Sequence, residues 1–194
     1  IEYRGVLLEP WYHLRITNLE TTAMFTTMFK GWFAKNQSNY NQFMKALLSD
    51  DIDAMNYYMN QIIMTTFSYF DVGQNEPERF YHGFVLGLLV ELRDRYQIRS
   101  NRESGYGRYD VMLTPVTEVD DAIVIEFKVH EPDEEESLQD TVRTALDQIT
   151  EKNYDAELLL QGIPADRIRH YGFAFEGKKV LIGQDEIQNV AVRR

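Results

Sequence analysis

The chain has 194 residues, 44% of them apolar, with no cysteine and a formal net charge of −11. That length suffices for one sizeable core, or for a domain with a smaller helical lead-in. The missing cysteine excludes disulfides, thiolate metal sites and cysteine nucleophiles, and the acidity argues against a protein that coats nucleic acid by bulk electrostatics, though not against a local nucleic-acid site.

The sequence begins at Ile1 without a methionine, and neither a basic start nor an apolar signal stretch follows, so it reads as a piece of a longer protein. No apolar run approaches the roughly 20 residues of a spanning helix. The reading is a soluble, cytoplasmic chain with no membrane partner. Residues 1 to about 70 read as helical: Met24, Phe25, Met28, Phe29, Trp32 and Phe33 recur at helical spacing, as do Ile52, Met55, Met59, Ile62 and Ile63, with a short helix around Tyr40, Phe43 and Leu47 between them. Such a stripe is core or partner-helix packing. The break at Asp71–Pro77 leads into a helix that runs to about Tyr96. Asn75 and Glu78 stand at capping-box spacing, and Pro77 falls in the first turn. Gly83 and Gly87, four apart, suggest a face that packs closely on a neighbour.

Asn101–Gly107 reads as a turn-rich connection, Tyr109–Leu113 as a short strand and Thr114–Asp121 as a polar loop. Ala122–Lys128 (AIVIEFK) is apolar and β-branched until its end, the pattern of a central strand buried on both faces. The acidic run Glu131–Glu136 reads as a solvated loop. A helix from Ser137 to about Tyr154 carries Leu138, Val142, Ala145 and Ile149 on one face. Two strands, Arg169–Phe175 and Lys179–Ile182, join at Glu176-Gly177. From residue 76 the order is helix, strand, strand, helix, strand, strand: an α/β fold with a mixed sheet flanked by helices.

Glu126 and Lys128 are two apart on a strand and share a face, while Phe127 points the other way. A carboxylate and an ammonium ending a buried strand are costly without partners. If Asp110 pairs alongside as part of a hairpin, its carboxylate reaches the same face. Two carboxylates beside a lysine suit phosphoryl transfer. Asp110, Glu126 and the Phe127 carbonyl offer hard oxygen ligands for Mg²⁺, which takes few protein ligands, and Lys128 can position a water or stabilise the phosphate. Arg93, Arg95, Arg99, Arg102 and Arg108 form a local basic zone able to track a phosphate backbone, or a solvated helix end. Glu103 and Arg108 flank the Asp110 strand, and either could contact phosphate or support the loop. His13, His130 and His170 show no metal-site spacing.

Asp110, a sixteen-residue gap and then Glu126-Phe127-Lys128 resembles the PD-(D/E)XK nuclease superfamily, also called restriction-endonuclease-like. GYGRYD (Gly105 to Asp110), IEFK (Ile125 to Lys128) and ALDQITEKNY (Ala145 to Tyr154) look like the version found at the C-terminus of AAA-ATPase-like bacterial proteins. YHLRITN (Tyr12 to Asn18) and the SYFD and PERFYHGFVLGLL segments between Ser68 and Leu89 look like the linker of those proteins. Tyr109 stands where the superfamily's name has proline. No phosphate-binding Walker loop occurs, so an ATPase-like domain would lie upstream. The resemblance implies a Mg²⁺- or Mn²⁺-dependent nuclease acting on DNA ahead of RNA, divided into a lead-in over 1–72 and a nuclease-like domain over 73–194. Asp110 and Glu126 would bind metal and Lys128 would assist the water. Gln148, Glu78 and His82 would stand around them, with Tyr154 a weaker candidate. The competing reading is a module of an ATPase-like protein that binds nucleic acid or protein without cleaving. Homo-oligomerisation through the aromatic lead-in is compatible with either.

Overall fold

A computed structural model describes residues 2–4, 11–13, 37–67 and 77–185. The Met24–Phe33 stripe and the Asn75 cap lie outside these residues. The chain separates into two compact units, Ile1–Gln37 and Ser38–Arg194. In the first, strand β1 (Glu2–Arg4) pairs antiparallel with β2 (Trp11–His13), Tyr3 opposite Tyr12. Helix was expected here and strands are found. Tyr3, Trp11 and Tyr12 favour extended backbone, and Gly5 and Pro10 punctuate the segment between them.

The helical lead-in is seen in α1 (Gln37–Ser49) and α2 (Ile52–Thr66). Asp51 caps α2, accepting the Ala54 N–H at 3.0 Å. Met55, Met59, Ile62 and Ile63, the predicted stripe, are buried. Helix α3 (Pro77–Leu89) starts on its proline and passes into a 3₁₀ turn at Val90–Asp94. Gly83 and Gly87 have nothing within 4 Å of a would-be Cβ. Their spacing does not mark a close-packed face after all; they lie away from the α3 residues Tyr81, Val85, Leu88 and Leu89 that enter the core.

A five-stranded mixed sheet follows in the order β3 (Tyr96–Ser104), β4 (Gly107–Pro115), β5 (Ala122–Val129), β6 (Ile168–Glu176), β7 (Lys179–Gln184). Only β5 and β6 are parallel; the crossover that parallel pairing requires is supplied by α4 (Leu138–Glu151) and the short α5 (Ala156–Leu160). One strand, β3, was not foreseen. Its sequence, YQIRSNRES, lacks an apolar alternation because β3 is an edge strand exposed over much of its length. Its partner sets its register, Ile98 opposite Leu113, where its own side chains do not. By contrast β5 lies between β4 and β6 and is buried over Ala122–Phe127, as its apolar run predicted.

Helices cover both faces. Met112, Val124 and Ala174 pack with Val142, Leu146 and Ile149 of α4. On the other face Tyr81 of α3 stacks on Phe175 at 4.1 Å, and α2 seals the free edge of β7. Asn56 gives its Nδ2 to the Ile182 carbonyl at 2.7 Å and takes the Ile182 N–H at 2.8 Å; Asn60 does the same at Val180, at 2.8 and 3.1 Å. Two asparagine amides thus stand in for a sixth strand and satisfy an edge that would otherwise pair with another chain. Among the described residues no helix is long and apolar enough to cross a membrane.

Candidate active site

The site lies where β5 runs out of its ladder with β4. The register Val111↔Ile125, Met112↔Val124, carried on by one residue, sets Asp110 across from Glu126, with both side chains on one face. Phe127 then donates its N–H to Asp110 Oδ2 at 2.8 Å, a side chain doing the work of a strand carbonyl. The N–H and C=O of one strand residue point to the same side, so the Phe127 carbonyl also faces this gap.

Glu126 is 2% exposed. Its Oε1 accepts Lys128 Nζ at 3.4 Å and the Gln148 amide, whereas its Oε2 is buried with no hydrogen-bond partner. Burial, then repulsion by Asp110, pushes the Glu126 carboxyl up to about 8, against the opposing pull of Lys128. Asp110 is raised as well, first by burial, with the Phe127 N–H, His82 and Lys128 pulling it down. A buried and a half-buried carboxylate with too few donors are a charge excess held in place by the fold.

Gln148 reaches Glu126 because α4 lies unusually close to the sheet. Gly172 and Gly183 stand beside Glu126 in successive strands, Glu126↔Gly172 and Gly172↔Gly183. A Cβ on Gly172 would come to 2.8 Å from the Val142 carbonyl oxygen, and one on Gly183 to 2.5 Å from Val142 Cγ1. Gln148 also donates to Tyr154 Oη at 3.0 Å, and the Tyr154 hydroxyl donates to the Arg108 carbonyl at 2.7 Å. A line of hydrogen bonds therefore runs from β4 through Tyr154 and Gln148 to Glu126. It strengthens the case for Tyr154, which sequence alone had ranked low.

The opposite flank comes from α3. Desolvation raises the Glu78 carboxyl; Lys128 lowers it, Asp110 raises it and His82 lowers it, so Glu78 shares the electrostatic field of the site from the exposed start of its helix. His82 is buried against Phe127, ring centroids 5.3 Å apart, with Nε2 2.8 Å from Ser100 Oγ and Nδ1 3.4 Å from Asn101 Nδ2. Asn101 was not singled out beforehand. It lies between the pairs Ser100↔Val111 and Arg102↔Tyr109, hence across from Asp110, at φ +53°. A non-glycine residue in the left-handed region inside a strand is a local irregularity of the kind that gathers at functional sites. Its asparagine had been read as part of a turn, the right backbone signal in the wrong element.

The basic zone divides. Arg95 is held by Asp120 and Arg99 by Glu157, whereas Arg93, Arg102 and Arg108 have no carboxylate partner among the described residues. Glu103 is exposed, across the hairpin from Arg108. His130 lies against Glu135 and Thr141, and His170 against Asp155 and Asp185; both are tied into the structure.

The family model of the PD-(D/E)XK nuclease superfamily matches residues 76–185, more than half of the chain, and its span contains Asp110, Glu126 and Lys128. The chain belongs to the PD-(D/E)XK nuclease superfamily. No curated protein and no solved structure matches it. The mixed sheet flanked by helices is the restriction-endonuclease-like architecture expected of a member. Nucleases of the PD-(D/E)XK superfamily usually use divalent metals. Among the described residues no three His, Asp or Glu side chains converge as a ready-made metal cluster, but a hard cation that keeps most of its waters needs only one or two carboxylates. The residues present fit such an ion: Glu126 Oε2 lacks a partner, and beside the two carboxylates the one ion-pair partner among the described residues is Lys128, on Glu126 Oε1.

Proposed function

We propose that this superfamily member is a nuclease that hydrolyses phosphodiester bonds with a divalent cation, Mg²⁺ or Mn²⁺, and acts on DNA ahead of RNA. The observation that carries the reading is the buried, partnerless Glu126 Oε2 set beside Asp110 and Lys128. Asp110, Glu126 and the Phe127 carbonyl would hold the ion. When bound, it would help a water ionise and offset charge building on the phosphate.

The chain's own groups then divide the remaining work. Lys128, held at 3.4 Å from Glu126 Oε1, directs the attacking water and presents positive charge to the phosphate as the P–O bond to the leaving nucleotide breaks. Gln148 occupies Oε1 of Glu126 and so leaves Oε2 as the free ligand. Tyr154 holds Gln148. Glu78 and His82 flank the opposite side; Glu78, whose carboxyl is raised, is suited to accept a proton from water near the site, and His82 steadies Phe127 and Asn101.

The wider reading is that residues 73–194 form the nuclease-like domain and residues 1–72 its lead-in, downstream of an AAA-ATPase-like domain, in a cytoplasmic and self-associating protein. The net charge of −11 favours the competing reading, a module that binds without cleaving. The test is incubation with plasmid, linear and single-stranded DNA and RNA, in Mg²⁺, Mn²⁺ or EDTA, with Asp110→Ala and Lys128→Ala alongside. Cation-dependent cleavage by the wild type alone is expected. Identical behaviour of all three proteins on every substrate would refute the nuclease reading.

A further inference from the structure

The hairpin that carries Asp110 ends in a feature the cleavage site does not use. Ser104 pairs with Gly107, leaving Gly105 and Tyr106 as a two-residue turn with glycine first at φ +58°, the pattern of a type II′ turn. The backbone of this tip is docked on the end of α4. Tyr106 donates its N–H to the Lys152 carbonyl at 2.7 Å. Ser104 Oγ donates to the Tyr154 carbonyl at 2.7 Å and accepts the Glu157 N–H at 3.2 Å. Any side chain at Gly105 would collide with the carbonyls of Lys152 and Asn153. Yet the Tyr106 side chain on this anchored turn is 83% exposed.

A single exposed aromatic is common, so the surroundings decide. The chain carries 31 acidic and 20 basic residues, and among the described residues Arg95, Arg99, Arg143, Arg167 and Arg169 are paired with carboxylates. Arg102 and Arg108, on the two strands beneath Tyr106, are exposed and have no such partner among the described residues. Lys152 packs beside Gly107 and is exposed too; Glu103 is the opposing charge on the hairpin. By the hairpin register Arg108 shares a face with Glu103, while Arg102 projects from the other face beside Tyr109; Arg108 stands two residues from Asp110 on the same face, between it and the fixed aromatic. Tyr106 is four residues from Asp110 on β4, about 13 Å along a strand, the length of about four stacked nucleotides.

We infer that the β3–β4 hairpin holds a single-stranded stretch of nucleic acid, Tyr106 stacking on an unpaired base and Arg108 contacting a phosphate on the way to the site. The ring can stack only on a base that has left its duplex partner, and stacking of this kind is independent of sequence. The Arg108 carbonyl is the anchor of the Tyr154–Gln148–Glu126 line, so the strand that carries the phosphate contact also braces the site. The inference rests on the nuclease reading for its substrate class, but binding can be measured without cleavage.

The experiment is fluorescence anisotropy with a labelled 20-nucleotide single-stranded DNA and its blunt duplex, in EDTA and again in Ca²⁺. Tyr106→Ala should weaken single-strand binding between about 5- and 100-fold, change duplex binding less than about twofold, and be rescued by Tyr106→Trp. Arg108→Ala should lower the slope of log affinity against log salt by about one, and Arg102→Ala, on the other face, should leave it unchanged. Unaltered single-strand binding by Tyr106→Ala, or an equal loss on the duplex, overturns the inference. An Asp110→Ala protein that binds single strands through Tyr106 but cuts nothing leaves it standing. A wild type that cuts with no dependence on Tyr106 sinks this inference and spares the nuclease reading.

Discussion

The two ends of strand β5 carry acidic residues under opposite conditions. At the entrance, Asp121 receives Arg167 Nε at 3.0 Å and Arg169 Nε at 2.9 Å. Burial works against its charge, but the hydrogen bonds and charges of Arg169 and Arg167 outweigh burial and hold the carboxyl below the usual range. Five residues on, Glu126 meets one lysine, one amide and a second carboxylate, and is pushed to about 8. Asp121 immediately precedes β5 and Glu126 lies within it. Asp121 is settled as an ion pair that favours folding, whereas Glu126 is left in a state that folding alone does not reward. Perturbed, underpaired carboxylates of this kind mark sites of chemistry more often than of stability.

The sharpest way to break this contrast is activity. Lys128→Ala should reduce phosphodiester cleavage by about 10²- to 10³-fold while leaving thermal unfolding close to wild type; a plasmid-nicking time course reads the first and circular dichroism the second. A stable Lys128→Ala with full activity would place the chemistry elsewhere.

At the other end the expectation reverses. Asp121→Ala removes the carboxylate that both guanidinium groups share, leaving Arg167 on the Glu118 and Asp120 carbonyls and Arg169 on the Leu48 carbonyl, and should cost about 2 kcal/mol, lowering Tm by about 5 °C, with cleavage at 20 °C hardly altered. Equal damage to activity would mean that the two ends of β5 are not separable.

The third test uses protons. The folded-state carboxyl of Glu126 stands near 8, above its ordinary 4.5. The folded protein therefore keeps a proton that the unfolded chain releases, and this stabilising contribution is complete below about pH 4.5 and lost as pH rises through about 8. Glu126→Gln, measured in EDTA by urea titration, should be more stable than wild type at pH 8.5 and equal to it near pH 4.5. Added Mg²⁺ should stabilise wild type at pH 8.5 and leave Glu126→Gln nearly unmoved. A wild type whose stability relative to Glu126→Gln does not change between these pH values would remove Glu126 from its strained state.

The smallest effect concerns the line that orients Glu126. Tyr154→Phe removes the hydroxyl between Gln148 and Arg108 but keeps the ring in the core. Activity should fall about tenfold, with a larger change in the Mg²⁺ concentration needed for half-maximal rate than in the unfolding midpoint. A shift in the midpoint alone would make Tyr154 a packing residue.

Much of this molecule was legible before its structure. The apolar run of β5, the periodicity of α2 and α4, and the hairpin at Gly177 are short-range patterns, and each carries its own signal in side-chain polarity. So does the spacing from Asp110 to Glu126 and Lys128, because strand alternation puts Glu126 and Lys128 on one face. What the chain could not announce are relations between elements. Edge strand β3 has no pattern of its own and owes its existence to β4. The division of the arginines into Arg95 and Arg99, which are paired, and Arg102 and Arg108, which are not, depends on where Asp120 and Glu157 come to lie. Gly172 and Gly183 carry no signal of their own in the sequence, and their role comes from α4 resting on them. Asp110, Glu126 and Lys128 keep their identity, but their condition was decided by tertiary packing: a carboxylate's charge is governed by the donors and the water within a few ångströms, and for Glu126 those are supplied by β4, α4 and the closing of the core.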